Sequence, residues 1–372
     1  MKPRTRSRVA APAVSTIFPP RPRGLKGRTS ELATLSRSIT ERAPARLALV
    51  GSGGSGKSLL ACALGHRLEA HFEGRVHWFR VGAWSFRTLS EMLALAFGTS
   101  PSYERCWREL RRFFERGGER LVVLDNHEDD RAMSELLRAL EGTPVTVIIT
   151  ARRCLLAGVL IYPVVAPLVS SGQSAFPRVA RLTRLLRWNP LALDIADAIV
   201  ASRAASVRDI GAYLEAKHVD RVHVIAHEDD LPEVALLVAW AWQRLSGASR
   251  RMLGVLAHTE GDHMDLTSLA ELARATRHAD RDLAELRRWR LVQEPISGRF
   301  TVHAVVRYAV VQKTEVDARA LFEHYVSLLE REPDRLLLEQ THLFAALEHA
   351  HRSNDMRAML RVNELFRKLG AD

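Results

Sequence analysis

Lys57 and Ser58 follow a run of residues that carry little beyond backbone: Gly51-Ser52-Gly53-Gly54-Ser55-Gly56. Glycines at Gly51, Gly53, Gly54 and Gly56 let the chain curl so that successive N–H groups, that of Ser55 included, point inward at an anion. The spacing is G-x-x-x-x-G-K-[ST], a phosphate cradle. In it Lys57 reaches the β- and γ-phosphates of a nucleotide, and the Ser58 hydroxyl binds Mg²⁺. Leu59 continues into the helix whose positive end adds to the grip. Asp125 ends the apolar run RLVVLD, the place for an acid that holds a magnesium hydration shell. Asn126 follows it where many hydrolases have a second acid. An amide cannot take a proton from water, so slow turnover is expected. Arg152 lies just past the end of VTVIITAR, where a cation could touch a terminal phosphate.

Such groups must be held by strand ends. Short apolar runs (RLALVG, RVHWFRVG, RLVVLD, VTVIITAR, and less clearly IYPVVAPL) alternate with helical patterns such as SFRTLSEMLALAFG and AMSELLRALEG. This alternation predicts a parallel sheet with helices on both faces. Beyond residue 175 strand signals nearly vanish. PRVARLTRLLRWNPLALDIADAIVASRA and SVRDIGAYLEAKH read as helices of a small unit. SGASRRMLGVLAHTEG, TSLAELARAT and DRDLAELRRWR predict three more, followed by a hairpin turning at Pro295–Gly298, which together make a winged-helix pattern. From Val316 onward the period is helical throughout, like the opening of a repeat array. The expected organisation is a basic Pro-rich tail (1–23), an α/β P-loop NTPase domain (24–170), a small helical domain (171–235), a winged-helix domain (236–315) and the incomplete start of a TPR-like helical array (316–372).

The net charge of +11 suggests nucleic acid until it is located. Eight cations and no acid fall within residues 1–28, leaving about +3 for the rest, so the basicity is mainly a tail that cannot bury a core. No apolar core follows those charges, which excludes a secretory signal. Cys62, Cys106 and Cys154 are too few and too scattered for a disulfide framework and fit a reducing compartment, the cytoplasm. The uncharged run from Cys154 to Pro177 contains Pro163 and Pro167 and reads as a buried strand and loop, not a membrane span. His223 and His227 have no further matched ligand for a metal.

These motifs, in this order, resemble the NB-ARC branch of the STAND ATPases, more narrowly the bacterial AfsR/LuxR-like regulators, over residues 24–372. GLKGRTSEL is similar to the family's opening motif G-R-E-x-E-L, which implies that Gly27 and Arg28 lie beside the adenosine. RLVVLDNHEDD resembles L-V-L-D-N-x-E-H, which places Asp125 at the magnesium and makes Asn126 typical. IITARRCLL resembles T-S-R-E-x-L and gives Arg152 a phosphate-sensing role. RWNPLALDIADAIV is similar to G-L-P-L-A-L, whose proline, here Pro190, packs by the adenine. Trp188 stands where that motif has glycine. GRFTVHAVVRYAV resembles the closing motif, whose histidine, here His303, binds the β-phosphate of ADP at rest.

The resemblance implies a switch in which ATP replaces ADP, the domains open and the chain self-associates. The rival from another class is a DNA-binding regulator or loader in which the winged helix reads DNA. In that rival, Arg281, Arg287, Arg288 and Arg290 would enter a groove, but Asp280, Asp282 and Glu285 interleave with them. A small-molecule kinase is a third reading, with no acceptor-binding region visible.

Overall fold

A computed structural model describes residues 18–22, 28–82, 84–99, 103–165, 177–218, 232–259 and 263–368. Gly27, His223, His227 and all of the tail except 18–22 lie outside the described residues. Helix α1 (Thr29–Glu41) leads to β1 (Arg46–Val50), and the glycine-rich loop joins β1 to α2 (Lys57–Leu68). Then come β2 (Val76–Arg80), α3 (Phe86–Ala96), α4 (Tyr103–Arg116), β3 (Arg120–His127), α5 (Asp130–Ala139), β4 (Val145–Ala151) and β5 (Leu160–Pro163). The sheet order is β2-β3-β4-β1-β5, with every neighbouring pair parallel. This is the P-loop NTPase arrangement.

Because side chains alternate along a strand, each strand feeds two apolar layers. Leu47, Leu49, Leu121, Val123 and Ile148 meet Leu35 and Ile39 of α1 and Leu60 and Leu64 of α2. Ala48, Val122, Leu124, Val147 and Ile149 face the other way, toward Leu89 and Leu93 of α3, Leu110 of α4 and Leu136 of α5. All seven residues of β4 are buried, as the centre of such a sheet requires. β5 corrects the sequence reading of a buried strand. It is an edge strand pairing only with β1, so Leu160 and Ile161 are exposed.

The next region holds α6 (Pro190–Ala201), α7 (Val207–His218), α8 (Pro232–Trp242), α9 (Gly247–His258), β6 (Met264–Asp265), α10 (Leu266–Leu272), α11 (Ala279–Arg288), β7 (Gln293–Ile296), β8 (Arg299–Thr301) and α12 (Ala304–Val311). The three helices and the hairpin expected from the sequence are α9, α10, α11 and β7–β8, and β6 adds a third antiparallel strand. The helix expected through residues 177–189 does not form. Pro177–Leu182 is a 3-10 segment broken at Val179, and Arg187 and Trp188 then turn left-handed at φ 48° and 55°. Pro190 holds Asn189 in extended backbone, so a helix can begin only at Pro190 itself. The helical and hairpin parts, expected as two units, share one core running from Leu186, Ile195 and Leu214 to Leu253, Leu286 and Val306. Helix α8 spans the expected boundary.

Helices α13 (Ala318–Arg331), α14 (Leu336–Arg352) and α15 (Met356–Lys368) follow. Phe322, Val326, Leu343, Phe344 and Leu347 belong to the same buried layer as α3 and α4. Glu348 of α14 accepts hydrogen bonds from the Ser85 N–H (3.2 Å), the Ser85 hydroxyl (2.9 Å) and the Thr88 hydroxyl (2.5 Å) at the start of α3. Nearer its own start, α14 holds the hairpin: Glu339 accepts from both terminal nitrogens of Arg299, at 2.8 and 2.6 Å. No helix among the described residues is long and apolar enough to cross a membrane.

Candidate functional site

The glycine-rich loop closes at the C-terminal edge of the sheet, where parallel strands present their ends. Gly56 caps α2 at φ 92°, a conformation glycine adopts without strain. The Gly51 N–H donates to the Ala151 carbonyl, tying the loop to the end of β4. Lys57 leads α2, and its ammonium donates to the carbonyls of Gly51 (2.7 Å) and Ser52 (2.8 Å), so it lies along the cradle. Burial, helped by Arg152 and opposed by Asp125, pulls Lys57 down to about 8. Ser58 and Leu59 are exposed in the first turn. Ser55 is buried, and among the described residues its hydroxyl has no hydrogen-bond partner.

Asp125 is buried at the end of β3, where its Oδ1 accepts the Thr150 hydroxyl at 2.6 Å. Thr150 Oγ1 in turn accepts the Asn126 N–H at 2.9 Å. Asn126 takes φ 63° at the register shift between Leu124 and His127 in the β3–β4 ladder, and its amide donates to Glu128. Arg28 contacts the loop. Its guanidinium donates to the carbonyls of Ser55 (2.7 Å) and Val165 (2.8 Å) and pairs with Glu31. The bond to Ser55 braces the cradle.

Two later segments close over this edge. Asn189 caps α6 by accepting the Ala192 N–H, and its Nδ2 donates to the Gly53 carbonyl at 3.1 Å. Pro190 is the first residue of α6, directly behind that contact. From the first turn of α12, just past the hairpin, Val305 presses on Gly53 so closely that a Cβ there would lie 2.1 Å from Val305 Cγ2. Only glycine fits.

His303 caps α12, its Nδ1 accepting the Val305 N–H at 3.2 Å. In a neutral ring that leaves the proton on Nε2. Burial, with the charges of Lys57, Arg80 and Arg152, depresses His303 to about 3. Three cations and a neutral imidazole, from four chain segments, thus act on one another electrostatically, which suits a phosphate-bearing anion.

The sequence reading named Lys57, Asp125, Arg152 and His303, and the fold brings them together. It missed Arg80 and Asn189. Arg80 ends β2 in register with Asp125 and donates to the Thr301 hydroxyl of β8 at 3.3 Å. A cation closing an apolar strand run was the available signal. Asn189 was legible as an Asn-Pro helix start. Of the cations considered for DNA, Arg287 pairs with Glu294 and Arg290 approaches Asp194.

No family model matches the chain. Over 322 residues it is 27% identical to Regulatory protein AfsR of Streptomyces coelicolor, covering 80% of this chain and 32% of that protein. Its fold is similar to that of a STAND protein with a tetratricopeptide repeat sensor from Pyrococcus horikoshii, with a TM-score of 0.57 and 16% identity, covering 96% of this chain and 55% of that one. The chain therefore spans about a third of the curated relative and about half of the structural one. Both agree with the STAND-type resemblance carried by the motifs.

Proposed function

We propose that the chain is an ATP/ADP-binding, STAND-type regulatory switch, with residues 236–315 acting as its winged-helix domain and 316–372 as the start of its TPR-like array. The observation that carries this reading is the approach of His303 and Val305, from the hairpin region, to the P-loop among Lys57, Arg80 and Arg152. With Nδ1 engaged by the Val305 N–H, Nε2–H is the donor for a β-phosphate. ADP held this way ties the hairpin region to the cradle. ATP brings one more phosphate and favours whichever arrangement accommodates it. Moving such an equilibrium from 1:99 to 99:1 takes about 5.5 kcal/mol. Hydrogen bonds to charged groups contribute roughly 1.5–3 kcal/mol each, so a few reach that scale. Opening would expose the surface for self-association.

Mg²⁺ fits the donor set. Ser58 offers a hydroxyl and Asp125 a carboxylate, the partial shell that magnesium completes with phosphate oxygens and water. The described residues hold no cluster of three or more His, Cys, Asp or Glu that would make a self-sufficient metal cage.

The test is the ADP off-rate, measured by stopped-flow with a fluorescent analogue. His303→Asp should speed release by placing an anion against the phosphate, and His303→Ala should do so less. Unchanged rates in both variants would remove His303 as the closing contact.

A further inference from the structure

Helix α2 contains a glycine, Gly65, in its third turn, where alanine would make a better helix. The described part of the N-terminal segment explains it. Phe18 lays its ring over Gly65 so tightly that a Cβ there would fall 2.2 Å from Phe18 Cζ. The same ring meets His66 edge-on at 5.0 Å and Trp78 of β2 at 5.5 Å, centroid to centroid. Phe18 joins the apolar layer formed by Leu60, Leu64 and Trp78.

The two prolines behind it are held by their carbonyls. His66 Nε2 lies 2.8 Å from the Pro19 oxygen, which requires the proton on that nitrogen. The Cys62 thiol donates at 3.6 Å to the oxygens of both Pro19 and Pro20. Burial keeps that thiol protonated, pushed up to about 12, and so able to donate. Proline has no N–H to offer, so a site for two consecutive prolines must supply donors only. Cys62 and His66 do this, spaced one turn apart on a single helix face.

We propose that the notch formed by Cys62, Gly65, His66 and Trp78 is a docking site for a Phe-Pro-Pro segment, and that its occupant is residues 18–20 of the same chain. Residues 18–20 are thereby fastened to the helix whose first turn bears Lys57 and Ser58. The site stands on the back of α2, apart from the phosphate cradle.

The experiment uses the full chain with Phe18→Ala, which removes the ring from the notch and weakens the tethered segment's hold, and a labelled peptide of residues 15–22 followed by fluorescence anisotropy. The peptide should bind this variant, and should bind the wild type at least about tenfold more weakly because the notch is filled. Adding Gly65→Ala to the Phe18→Ala chain should abolish binding while leaving the helix intact, since alanine favours it. No binding to Phe18→Ala, or equal binding after Gly65→Ala, would overturn the site. Sedimentation decides the occupant: a wild-type dimer lost in Phe18→Ala would place the segment on a second copy and overturn docking within one chain.

Discussion

At the strand ends, the α/β core meets the start of α6 through Asn189 and the hairpin region through His303 and Val305. On its outer face it meets α13 and α14 through Phe322, Val326, Leu343, Phe344 and Leu347. The first contact sets Lys57, Arg80 and Arg152 around a neutral histidine, with Asp125 offsetting part of their charge. The second is apolar burial finished by Glu348 on the start of α3. Like charges in close quarters repel, so the first contact is sensitive to whatever anion lies among them. Apolar burial has no such dependence. A contact meant to respond to phosphates and a contact meant to persist are thus made of different chemistry. Helix α14 also grips the hairpin through Arg299 and Glu339. Opening at the cradle must therefore either break that buried pair or be accommodated around it.

The largest expected effect lies on the apolar side. Phe344→Ala should destabilise the fold by about 3–5 kcal/mol, the usual loss for a buried aromatic. Because Phe344 shares its layer with α3, denaturant unfolding should stay a single transition at a lower midpoint. A separate early transition confined to the C-terminal helices would show that the two are not one core.

The cradle side is probed by Lys57→Ala. Wild-type protein with nucleotide at 100 times its dissociation constant should gain about 2.7 kcal/mol of stability. The variant should gain none, with its ligand-free melting little altered. Equal shifts in both would place the nucleotide elsewhere.

The smallest effect, taken per pH unit, is the titration of His303. His303 is held near 3, against an ordinary value of 6.5, wherever the hairpin is closed. Between these values the open form binds a proton that the closed form refuses, so closure is fully present above about 6.5 and weakens as pH falls. The opening equilibrium should rise by about tenfold for each unit below 6.5, since one unit corresponds to about 1.36 kcal/mol. Hydrogen exchange at the Val305 amide reads this, and His303→Asn should flatten the dependence. A slope unchanged in His303→Asn would assign it to other groups.

The core of this protein was readable from residue order because its signals are local. Five apolar runs made the five strands, and the spacing from Gly51 to Ser58 fixed a strand–loop–helix cradle. Motif order also located Asp125, Arg152 and His303, each at the end of an element that its own neighbours define. What the sequence could not determine involved partners far apart in the chain. β5 looked buried, but its edge position follows from strand order. The stretch before Pro190 looked helical until Arg187 and Trp188 turned left-handed to bring Asn189 onto Gly53. Arg80 became part of the site only when Thr301 and His303 arrived beside it, and Gly65 had a purpose only once Phe18 lay over it. Periodicity reports which face of an element is apolar, but not which distant segment covers it. That pairing is decided by packing in three dimensions.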